Sequence, residues 1–553
     1  MESSNNIMPP NLKQRIALYI SARGLVNLDV MSKSDPQVEV YLKDKNTNWT
    51  LVGKTERINN NLNPDFSNFI ECDYFFEKEQ FVRFMAYDID DNKGHKEFIG
   101  KVETTIGKIC GALKQTFVSE LKDDKHTKSR GKLIVRLDSI NSSNDEARIK
   151  LSANLVSLSS MCCSAVNDPY FIISRARSQE NREEFVRIFK GDVKLSNINP
   201  VWNPIKLKVA QICNGDHDLP IKFSVYSQIE SGNDLFYGEA ETTVNKLKSG
   251  DKRLNLSKKG KNGGALIIDQ FVVIEMPNFM EYLRSGWAVN MSFAVDFTAS
   301  NGEQSQLNSL HYQNPQSGVM NQYESAIWAV GRVVEPYALN CQFATFGFGG
   351  VPRFLGATSV SHCFNLNGQP NPQIIGLQNV FNAYKVAVNN TSLSGPTYMA
   401  PILKALLGYV QQCIQFQMYH CMVILTDGDI VDMTDTTDMV VQLSAFPVSI
   451  IIIGVGDDSF EKMKYLDSDD KVLQGKSGKA VRDIVQFVKF QDYKNQDIGV
   501  LAEEVLKEMP DQIVGYMLMK GIKPQKLEWV SVDNAVLSHN ESAQVEIQQQ
   551  LPQ

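Results

Sequence analysis

Acidic side chains are concentrated in two short, turn-rich segments near the start of the chain, about fifty residues apart. They are Asp29 and Asp35 in the first segment and Asp88, Asp90 and Glu97 in the second. Two carboxylates in contact repel each other by roughly 4 kcal/mol at an effective dielectric constant of about 20, and a hard cation relieves that repulsion. Calcium accepts about six to eight oxygen ligands from flexible loops, whereas magnesium demands strict octahedral geometry. The pattern therefore predicts a calcium site.

Strand-like sequence precedes both acidic segments. Residues 13–20 and 81–87 nearly alternate between apolar and polar side chains, which predicts half-buried β-strands. We expect the two segments to be loops that meet at one end of a β-sandwich. Asp and Asn are also favoured in ordinary solvated turns, and that reading suits either loop taken alone. The two loops together favour the cation site.

The composition is that of a soluble globular protein. The chain has 553 residues, of which 43% are hydrophobic and 22% are charged. This length allows three or four domains. A formal net charge of -7 and a pI near 5.7 argue against a nucleic-acid binder and against any general attraction to anionic membranes. Any membrane affinity is therefore expected to be conditional.

No apolar run approaches the roughly 18 to 20 residues of a transmembrane helix, so no transmembrane segment is expected. The first residues contain neither a secretory signal nor a glycine at position 2 for myristoylation. The nine cysteines include no Cys-x-x-Cys pair, so the sequence implies neither a zinc site nor a disulfide framework. These features predict a cytosolic protein.

Four landmarks of the first segment recur in the same order about 135 residues later. The pairs are Ser34-Asp35-Pro36 with Asn167-Asp168-Pro169, Asn63-Pro64 with Asn199-Pro200, Phe84 to Asp88 with Phe223 to Ser227, and Phe98-Ile99-Gly100 with Phe236-Tyr237-Gly238. This recurrence predicts two copies of one β-sandwich.

The second copy has lost most of the acidic positions. Cys162, Ser227 and Ile229 stand where the first copy has Asp29, Asp88 and Asp90. Asp168 is retained, and Asp234 lies one residue out of register. We expect a weak or absent calcium site in this copy. A spacer, a protein-binding surface and a calcium-independent lipid contact are its alternative roles.

The two copies resemble tandem C2 domains, which are eight-stranded sandwiches whose loops bind calcium and then anionic phospholipid. In the first copy all five acidic positions of that family are occupied, with Glu97 where Asp is usual. The longer side chain of Glu97 reaches differently, which bears on the affinity. Val30 and Met31, beside Asp29, are expected to enter the membrane interface, at a gain on the order of 1 to 3 kcal/mol each if fully buried.

From about Ser285 the pattern changes to apolar runs separated by helical stretches. Residues 289–295, 422–425 and 448–453 predict buried parallel strands, and residues 321–334 and 400–416 predict helices. This alternation is typical of a doubly wound, Rossmann-like α/β sheet, whose ligands bind at the carboxyl ends of the strands.

Two polar motifs stand at predicted strand ends of this region, Asp296-Phe297-Thr298-Ala299-Ser300 and Leu425-Thr426-Asp427-Gly428. Two carboxylates and several hydroxyls would leave a divalent cation with open coordination positions, which a water or a partner's carboxylate can fill. The first motif alone is also typical of a helix N-cap. Together with Ser394-Gly395-Pro396-Thr397, the motifs resemble the metal-ion-dependent adhesion site of von Willebrand factor A domains. That resemblance implies that Asp296, Thr298, Ser300, Thr397 and Asp427 hold Mg²⁺ or Mn²⁺ directly or through water.

Two C2 domains followed by an A domain resemble the architecture of the copine family. Further matching motifs are Ser309-Leu310-His311-Tyr312, Phe346-Gly347-Phe348-Gly349, residues 482–488 and residues 501–506. The implied domains are a first C2 domain at 11–140, a second at 145–278, an A domain at 285–520, and a polar tail at 521–553 that we expect to be disordered.

The copine resemblance implies a calcium-dependent phospholipid-binding protein that acts in membrane trafficking or calcium signalling. Such a protein would move from the cytosol to the plasma membrane or to intracellular membranes and would recruit target proteins through its A domain.

Two other classes of function compete with this one. A nucleotide-dependent enzyme would need a glycine loop, but Gly347 to Pro352 lacks the final glycine of G-x-G-x-x-G. Gly475-Lys476-Ser477 imitates the end of a P-loop, yet Asp470 replaces its first glycine. No motif places a histidine base beside Ser300, so we do not expect an enzyme. A calcium-independent scaffold stays open as the alternative, since the second sandwich shows that calcium ligands can be lost.

Overall fold

The computed structural model describes residues 13–43, 48–89, 95–126, 128–139, 145–157, 167–179, 182–213, 216–229, 234–274, 277–314, 318–467, 472–525 and 529–540. The chain divides into two compact units. One contains Met1–Ile140 together with Phe279–Gln553, and the other contains Asn141–Asn278. No described helix is both long enough and apolar enough to cross a bilayer.

The first sandwich consists of two antiparallel four-stranded sheets, ordered β4-β1-β8-β7 and β3-β2-β5-β6. Its strands are β1 Lys13–Arg23, β2 Pro36–Lys43, β3 Thr50–Lys54, β4 Ile70–Phe75, β5 Phe81–Ile89, β6 Lys96–Thr105, β7 Thr116–Glu120 and β8 Lys132–Ser139. Alternate residues of each strand point into the core, as Val82, Phe84 and Ala86 of β5 do. The two strands predicted at 13–20 and 81–87 are confirmed.

The second unit is a sandwich with the same connectivity. Its strands are β9 Glu146–Leu155, β10 Pro169–Ala176, β11 Phe185–Lys190, β12 Ile205–Lys208, β13 Ile221–Ser227, β14 Leu235–Thr242, β15 Arg253–Lys258 and β16 Lys261–Ile274. The halves β11-β10-β13-β14 and β15-β16-β9-β12 join through a single pair, Glu239 with Ser257. Its core is separate and includes Phe171 packed edge-on against Trp202, with ring centres 4.9 Å apart.

The A domain is built on five parallel strands in the order β18-β17-β23-β24-β27, as predicted for a doubly wound α/β sheet. Two short antiparallel strands, β20 and β21, extend one edge beyond β18. The strands are β17 Ala288–Asp296, β18 Ala338–Phe348, β19 Gly350–Pro352, β20 Phe364–Asn365, β21 Gln373–Ile375, β22 Thr391–Leu393, β23 Met418–Thr426, β24 Val448–Gly454, β25 Gln474–Gly475, β26 Gly478–Lys479 and β27 Val485–Lys489.

Helices lie mainly in the A domain, with short ones at the strand connections of the two sandwiches. They are α1 Ile106–Gly111, α2 Val209–Cys213, α3 Val244–Lys248, α4 Phe279–Arg284, α5 Gln322–Val334, α6 Leu377–Asn390, α7 Ala400–Cys413, α8 Met433–Leu443, α9 Glu461–Leu466, α10 Ile498–Leu506 and α11 Met509–Met519. Helix α5 starts at a capping box in which Asn321 and Glu324 satisfy each other's backbone amides. The helices predicted at 321–334 and 400–416 correspond to α5 and α7.

The first sandwich and the A domain share one hydrophobic core. The ring of Phe76 packs edge-on against Phe279 at 4.9 Å, and the buried hydroxyls of Tyr74 and Tyr337 are hydrogen bonded to each other. Gly111 lies so close to this contact that a β-carbon there would sit 1.9 Å from the carbonyl oxygen of Pro336. The two domains thus form one packed body, which the sequence did not predict.

Two features lie outside the predicted A-domain boundaries. Helix α4 precedes the predicted start at 285, and the Tyr282 hydroxyl donates to the carbonyl of Ile522 at 2.9 Å. Part of the tail that we expected to be disordered is ordered, because residues 532–540 form a helix whose Val532 and Ala535 are buried. The expectation was wrong for this part, since tertiary contacts support a segment that is too polar to fold alone. Residues 541–553 lie outside the described residues.

Candidate calcium and divalent-metal sites

Strand pairing brings Asp35 and Asp88 together at one end of the first sandwich. Strands β2 and β5 run antiparallel with Pro36 opposite Asp88, so the residue that starts β2 meets the next-to-last residue of β5. The backbone amide of Asp35 donates to Oδ1 of Asp88 at 2.6 Å, and the amide of Ile89 donates to the carbonyl of Asp35 at 3.1 Å. The two acidic loops therefore meet as the sequence predicts.

Asp88 is the best-placed cation ligand in these loops. Only 1% of its surface is exposed, and its Oδ2 atom accepts no hydrogen bond from any described residue. An unsatisfied buried acceptor costs about 1–3 kcal/mol, and more when it is charged. A bound cation would remove that cost, so the carboxylate fits a calcium ligand.

Asp35 is held by two groups that the sequence analysis did not identify. The amide of Asn60 donates to its Oδ1 at 2.7 Å, and Nη2 of Arg57 lies 2.6 Å from its Oδ2. The guanidinium of Arg57 thus occupies one oxygen that calcium would need. No motif marks Arg57, because its place depends on how the loop between β3 and β4 folds over the site.

The other predicted ligands are less closely assembled. Oδ2 of Asp29 accepts from the hydroxyl of Ser32 at 2.6 Å within its own loop. Glu97 stands opposite Asp88 in the pairing of β5 with β6 and is exposed. Asp90 lies outside the described residues. Within the described ranges, no three His, Cys, Asp or Glu side chains are grouped closely enough to hold a metal.

Two apolar side chains project from the first acidic loop. Val30 is 97% exposed and Met31 is 99% exposed, immediately after Asp29. Single exposed apolar residues are common on protein surfaces. Two fully exposed neighbours beside a candidate calcium site are suitably placed to enter a membrane interface.

The second sandwich repeats the loop geometry with different side chains. The amide of Asp168 donates to the hydroxyl oxygen of Ser227 at 2.9 Å, and the amide of Ser196 donates to Oδ1 of Asp168 at 2.7 Å. Leu235 stands opposite Ser227, where the first sandwich has Glu97 opposite Asp88. Cys162 lies outside the described residues.

Asp234 has a structural partner in the second sandwich. Its Oδ2 accepts from the Tyr170 hydroxyl at 2.6 Å and its Oδ1 accepts from the amide of Ile229 at 3.1 Å. The hydrogen bond from Tyr170 lowers the pKa of the Asp234 carboxyl. Asp234 therefore ties its own loop to the sheet.

In the A domain, Asp296 ends β17 and is completely buried. Its Oδ1 accepts from both the amide of Thr298 at 2.8 Å and the hydroxyl of Thr298 at 2.7 Å, and its Oδ2 accepts from the hydroxyl of Thr426 at 2.7 Å. Thr426 ends the neighbouring strand β23. Parallel strands thus deliver both motifs to one edge of the sheet, as expected.

Asp427 completes a cluster of two carboxylates around shared hydroxyls. Its Oδ1 accepts from the hydroxyl of Ser300 at 2.9 Å and lies 3.4 Å from that of Thr298. Burial, and then the nearby charge of Asp296, raise the pKa of Asp427 to about 7. Burial also raises the pKa of Asp296. Two buried carboxylates that resist ionising side by side fit a site for a divalent cation.

The third motif lies beside this cluster. The amide of Ala299 donates to the carbonyl of Ser394 at 2.6 Å, and the amide of Val431 donates to the carbonyl of Thr397 at 3.1 Å. These bonds join the Ser394-to-Thr397 loop to the segments that carry Ser300 and Asp427. The predicted metal-site residues of the A domain therefore lie on adjoining loops.

His311 contacts the backbone of Asp296 and helps to fix its position. The sequence pattern did not assign this role. Its Nε2 is 2.8 Å from the carbonyl oxygen of Asp296 and its Nδ1 is 2.9 Å from the Tyr384 hydroxyl. The ring stacks on Phe297 and Tyr323. Burial lowers the pKa of His311 to about 4, so the ring is neutral and donates from one nitrogen only. His311 belongs to the Ser309-to-Tyr312 motif, which the sequence does mark. The contacts of His311 could not be predicted, because they depend on the fold.

The two glycine-containing segments have structural roles. Gly349 has a φ of +77°, and a β-carbon there would lie 2.3 Å from Cγ2 of Thr298, so this segment packs against the metal loop. Lys476 and Ser477 lie in the turn between β25 and β26, where Ser477 bonds to Asp438. Neither segment forms a phosphate-binding loop before a helix.

Sequence comparisons identify the same three domains. The sequence model of the Copine family matches residues 309–525, and that of the C2 domain matches residues 17–122 and 152–258. Copine-A of Dictyostelium discoideum is 36% identical over 532 residues, which cover 94% of this chain and 86% of that protein. Copine-E of the same organism is 34% identical over 531 residues, which cover 92% of this chain and 88% of that protein.

Solved structures resemble parts of the chain. The calcium-bound pair of C2 domains of Extended-Synaptotagmin 2 aligns with 47% of this chain and 98% of that chain, at 14% identity and a TM-score of 0.22. The manganese-loaded Plasmodium vivax TRAP protein aligns with 39% of this chain and 72% of that chain, at 12% identity and a TM-score of 0.26.

Proposed function

The chain belongs to the copine family, and we propose that its first C2 domain binds anionic phospholipid membranes when calcium is present. The observation that carries this proposal is Asp88, whose buried Oδ2 lacks a hydrogen-bond partner among the described residues while its Oδ1 holds the loop of Asp35. A buried carboxylate oxygen of this kind, at the junction of two acidic loops, is suited to a cation. Asp29, Asp90 and Glu97 are the further proposed ligands.

The electrostatics of the loop end supply the calcium dependence. A cytoplasmic membrane surface lies at about -30 mV and repels acidic loops. Bound calcium would supply positive charge and coordination positions for phospholipid oxygens. Val30 and Met31, already exposed, add apolar contact once the loops reach the interface.

Recruitment of the protein to membranes is therefore proposed to depend on calcium. The formal net charge of -7 gives the chain no general attraction to anionic lipid. We propose that the protein is cytoplasmic while calcium is low and moves to the plasma membrane or to intracellular membranes when calcium rises, in membrane trafficking or calcium signalling.

The A domain is proposed to recruit protein targets through a bound Mg²⁺ or Mn²⁺ ion. Asp296 and Asp427 would hold the ion with hydroxyls of Thr298, Ser300 and Thr397, and the ion would supply a coordination position for an acidic side chain of the target. The buried carboxylates around shared hydroxyls support this role. Asp296→Ala is expected to abolish magnesium binding, measured by calorimetry, while the domain stays folded.

We propose a binding protein rather than an enzyme. A hydrolytic role for Ser300 would need a histidine base, but both nitrogens of His311 are engaged with Asp296 and Tyr384. The Ser300 hydroxyl donates to Asp427 within the predicted metal site. These contacts support binding.

A calcium-independent scaffold is the second candidate, and the ion pair of Arg57 with Asp35 favours it. That guanidinium already neutralises one of the acidic residues without a metal. Under this alternative the first C2 domain would bind its partners equally well with and without calcium.

Sedimentation with phosphatidylserine vesicles separates the two candidates. Full-length protein is mixed with vesicles in calcium or in chelator, and phosphatidylcholine vesicles provide the control for lipid charge. We expect the protein to pellet only with phosphatidylserine and calcium. Equal pelleting in calcium and in chelator would favour the scaffold and contradict the proposed function.

A further inference from the structure

The outer face of strands β1 and β8 is covered, although it points away from the sandwich core. Three cross-strand pairs face outward there, Tyr19 with Arg136, Ser21 with Ile134 and Arg23 with Lys132. The alternate residues, such as Leu133 and Val135, belong to the core. Ser21 is nevertheless only 1% exposed and Ile134 is fully buried. These three pairs define the outer face. Because its middle pair is buried, another part of the chain must cover it.

The cover is the C-terminal segment of the same chain, residues 529–540. The indole of Trp529 lies 5.1 Å from the ring of Tyr19 and 5.0 Å from the guanidinium of Arg136, and its Nε1 donates to the carbonyl of Leu137 at 3.3 Å. Farther along, Asp533 forms an ion pair with Arg23 at 2.9 Å.

The end of the segment reaches the third outward pair. Asn540 is hydrogen bonded to Lys132, which stands opposite Arg23. The two buried residues of the helix, Val532 and Ala535, are three positions apart and so share the face turned towards the sheet. The segment therefore contacts the first and third outward pairs, and the buried middle pair lies between them.

Few apolar contacts hold the helix of this segment, whereas Trp529 before it also lies 4.8 Å from the guanidinium of Arg284. A helix of nine residues is too short to persist alone in water, where roughly 12–15 residues are needed, so it forms because it is docked. Its docked face buries only two small apolar side chains, while Leu537 is 59% exposed. Covering Arg136 also has a cost, because its Nε is buried and meets no hydrogen-bond acceptor among the described residues.

The covered face is basic and lies towards the candidate calcium site. Strand β1 ends at Arg23, and the chain reaches Asp29 six residues later. Lys132 is paired with Arg23, and Arg136 lies farther from the loops on the same face. Lys132 and Arg136 thus extend from the end of the sandwich proposed to meet the membrane, beside Arg23, which also forms an ion pair with Asp65 at 3.0 Å. This position favours a lipid surface over an acidic peptide as their ligand.

We propose that residues 529–540 are a displaceable clasp over the outer face, and that this face binds anionic phospholipid beside the calcium loops once the clasp is released. The inference rests on the proposed function for the orientation of the first C2 domain at the membrane. The covering segment acts as an internal competitor for cations that would otherwise contact lipid.

The test compares full-length wild-type protein with W529A/D533A, which removes the indole anchor and the ion pair. The matched control is L537A, in the same helix but on its exposed side. Each is titrated with phosphatidylserine vesicles in calcium and in chelator. We expect W529A/D533A to bind about fivefold to thirtyfold tighter than wild type in calcium, the effect of one to two additional surface cations. L537A should match wild type.

Two further measurements tie the gain to the outer face. Adding K132Q and R136Q to the clasp variant should return its vesicle affinity to the wild-type value. In wild-type protein, hydrogen exchange at residues 532–540 should become at least tenfold faster when phosphatidylserine vesicles and calcium are added, and should not change with phosphatidylcholine vesicles. This second readout does not depend on how well the variants fold.

Equal vesicle binding by W529A/D533A and wild type would overturn the clasp, as would a gain that persists with K132Q and R136Q. Unchanged exchange at residues 532–540 on phosphatidylserine vesicles would overturn it as well. The proposed function fails separately, if wild-type protein ignores vesicles in calcium. The chelator arm still tests the clasp in that case, because release of the outer face should raise vesicle binding without calcium.

Discussion

The loops of the two C2 sandwiches share one pattern of hydrogen bonds from backbone amides to side chains. The first copy has a carboxylate where the second copy has a hydroxyl. In both, the amide of the loop aspartate donates to a side chain at the end of the partner strand, that of Asp88 in the first copy and that of Ser227 in the second. In both, an amide from a neighbouring loop donates to Oδ1 of that aspartate, Asp35 or Asp168, at 2.7 Å.

The difference teaches that the loop architecture does not need the charge. A serine hydroxyl accepts the bond from Asp168 as well as a carboxylate accepts the bond from Asp35, and the sandwich around it has the same connectivity. What the first copy has in addition is a second carboxylate oxygen, buried and without a hydrogen-bond partner among the described residues. That extra oxygen accepts no hydrogen bond from the loop, and we propose that it binds a cation.

The largest expected effect comes from making the first site resemble the second. D35N/D88N should lose the calcium-dependent part of vesicle binding, with calcium affinity reduced at least a hundredfold, because two ligand charges are removed. Its fold should persist, since a neutral acceptor suffices at the position of Ser227. Calcium titration of binding to phosphatidylserine vesicles measures the loss.

D168N is the matched control for that variant, since Asp168 holds the equivalent position in the second sandwich. It should bind vesicles within twofold of wild type. If D168N lost as much binding as D35N/D88N, the comparison between the two copies would be wrong.

The reverse change should create a weak site in the second sandwich. S227D/I229D restores, next to Asp168, two of the three aspartates that Cys162, Ser227 and Ile229 replace in the second copy. We expect new calcium binding with a dissociation constant of about 10⁻⁴ to 10⁻³ M, as in low-affinity sites. Calorimetry on a D35N/D88N background would isolate it, with S227N as the neutral control. Absence of any new heat would show that the second loop geometry cannot support a cation.

Removing Arg57 should raise the calcium affinity of the first C2 domain, by a smaller factor than the changes above. Its guanidinium lies 2.6 Å from Oδ2 of Asp35 and must leave before a cation can use that oxygen. An ion pair of this kind is worth about 1 kcal/mol, so R57A should lower the calcium concentration for half-binding about fivefold. R83A, whose partner is Glu103 on the sheet surface, should have no effect. Weaker calcium binding by R57A would mean that Arg57 assists the site.

The A-domain site should differ from the first C2 site in its response to pH. Because burial and Asp296 raise the pKa of Asp427 to about 7, this carboxyl carries a proton below that pH in the metal-free protein. Magnesium requires the ionised form, so binding should release a proton and weaken as the pH falls. We expect about tenfold weaker magnesium binding at pH 6 than at the plateau above pH 8, by calorimetry. Equal affinities at the two pH values would contradict this assignment.

The sequence predicts the domains and the centres of both sites because these depend on local pattern. Alternation identified the strands that end near Asp29 and Asp88, and apolar runs identified the parallel strands that end at Asp296 and Thr426. Strand pairing then brings such ends together without further information.

Residues whose roles depend on distant partners could not be predicted. Arg57 reaches Asp35 through the fold of a loop, and His311 supports Asp296 through a buried stack of rings. Trp529 docks on a strand more than 500 residues earlier in the chain. Its segment is too polar and too short to signal a helix by itself, so the prediction of disorder followed from composition alone.

A crystal structure of the full-length protein grown in excess calcium tests the central claim most directly. We predict an ion bound by Oδ2 of Asp88 and a carboxylate oxygen of Asp35, at the 2.3–2.6 Å distances typical of calcium. Arg57 should be displaced from Asp35, and Asp168 should hold no ion. Crystals with calcium present, the Arg57 ion pair intact and no ion at Asp88 would contradict the account.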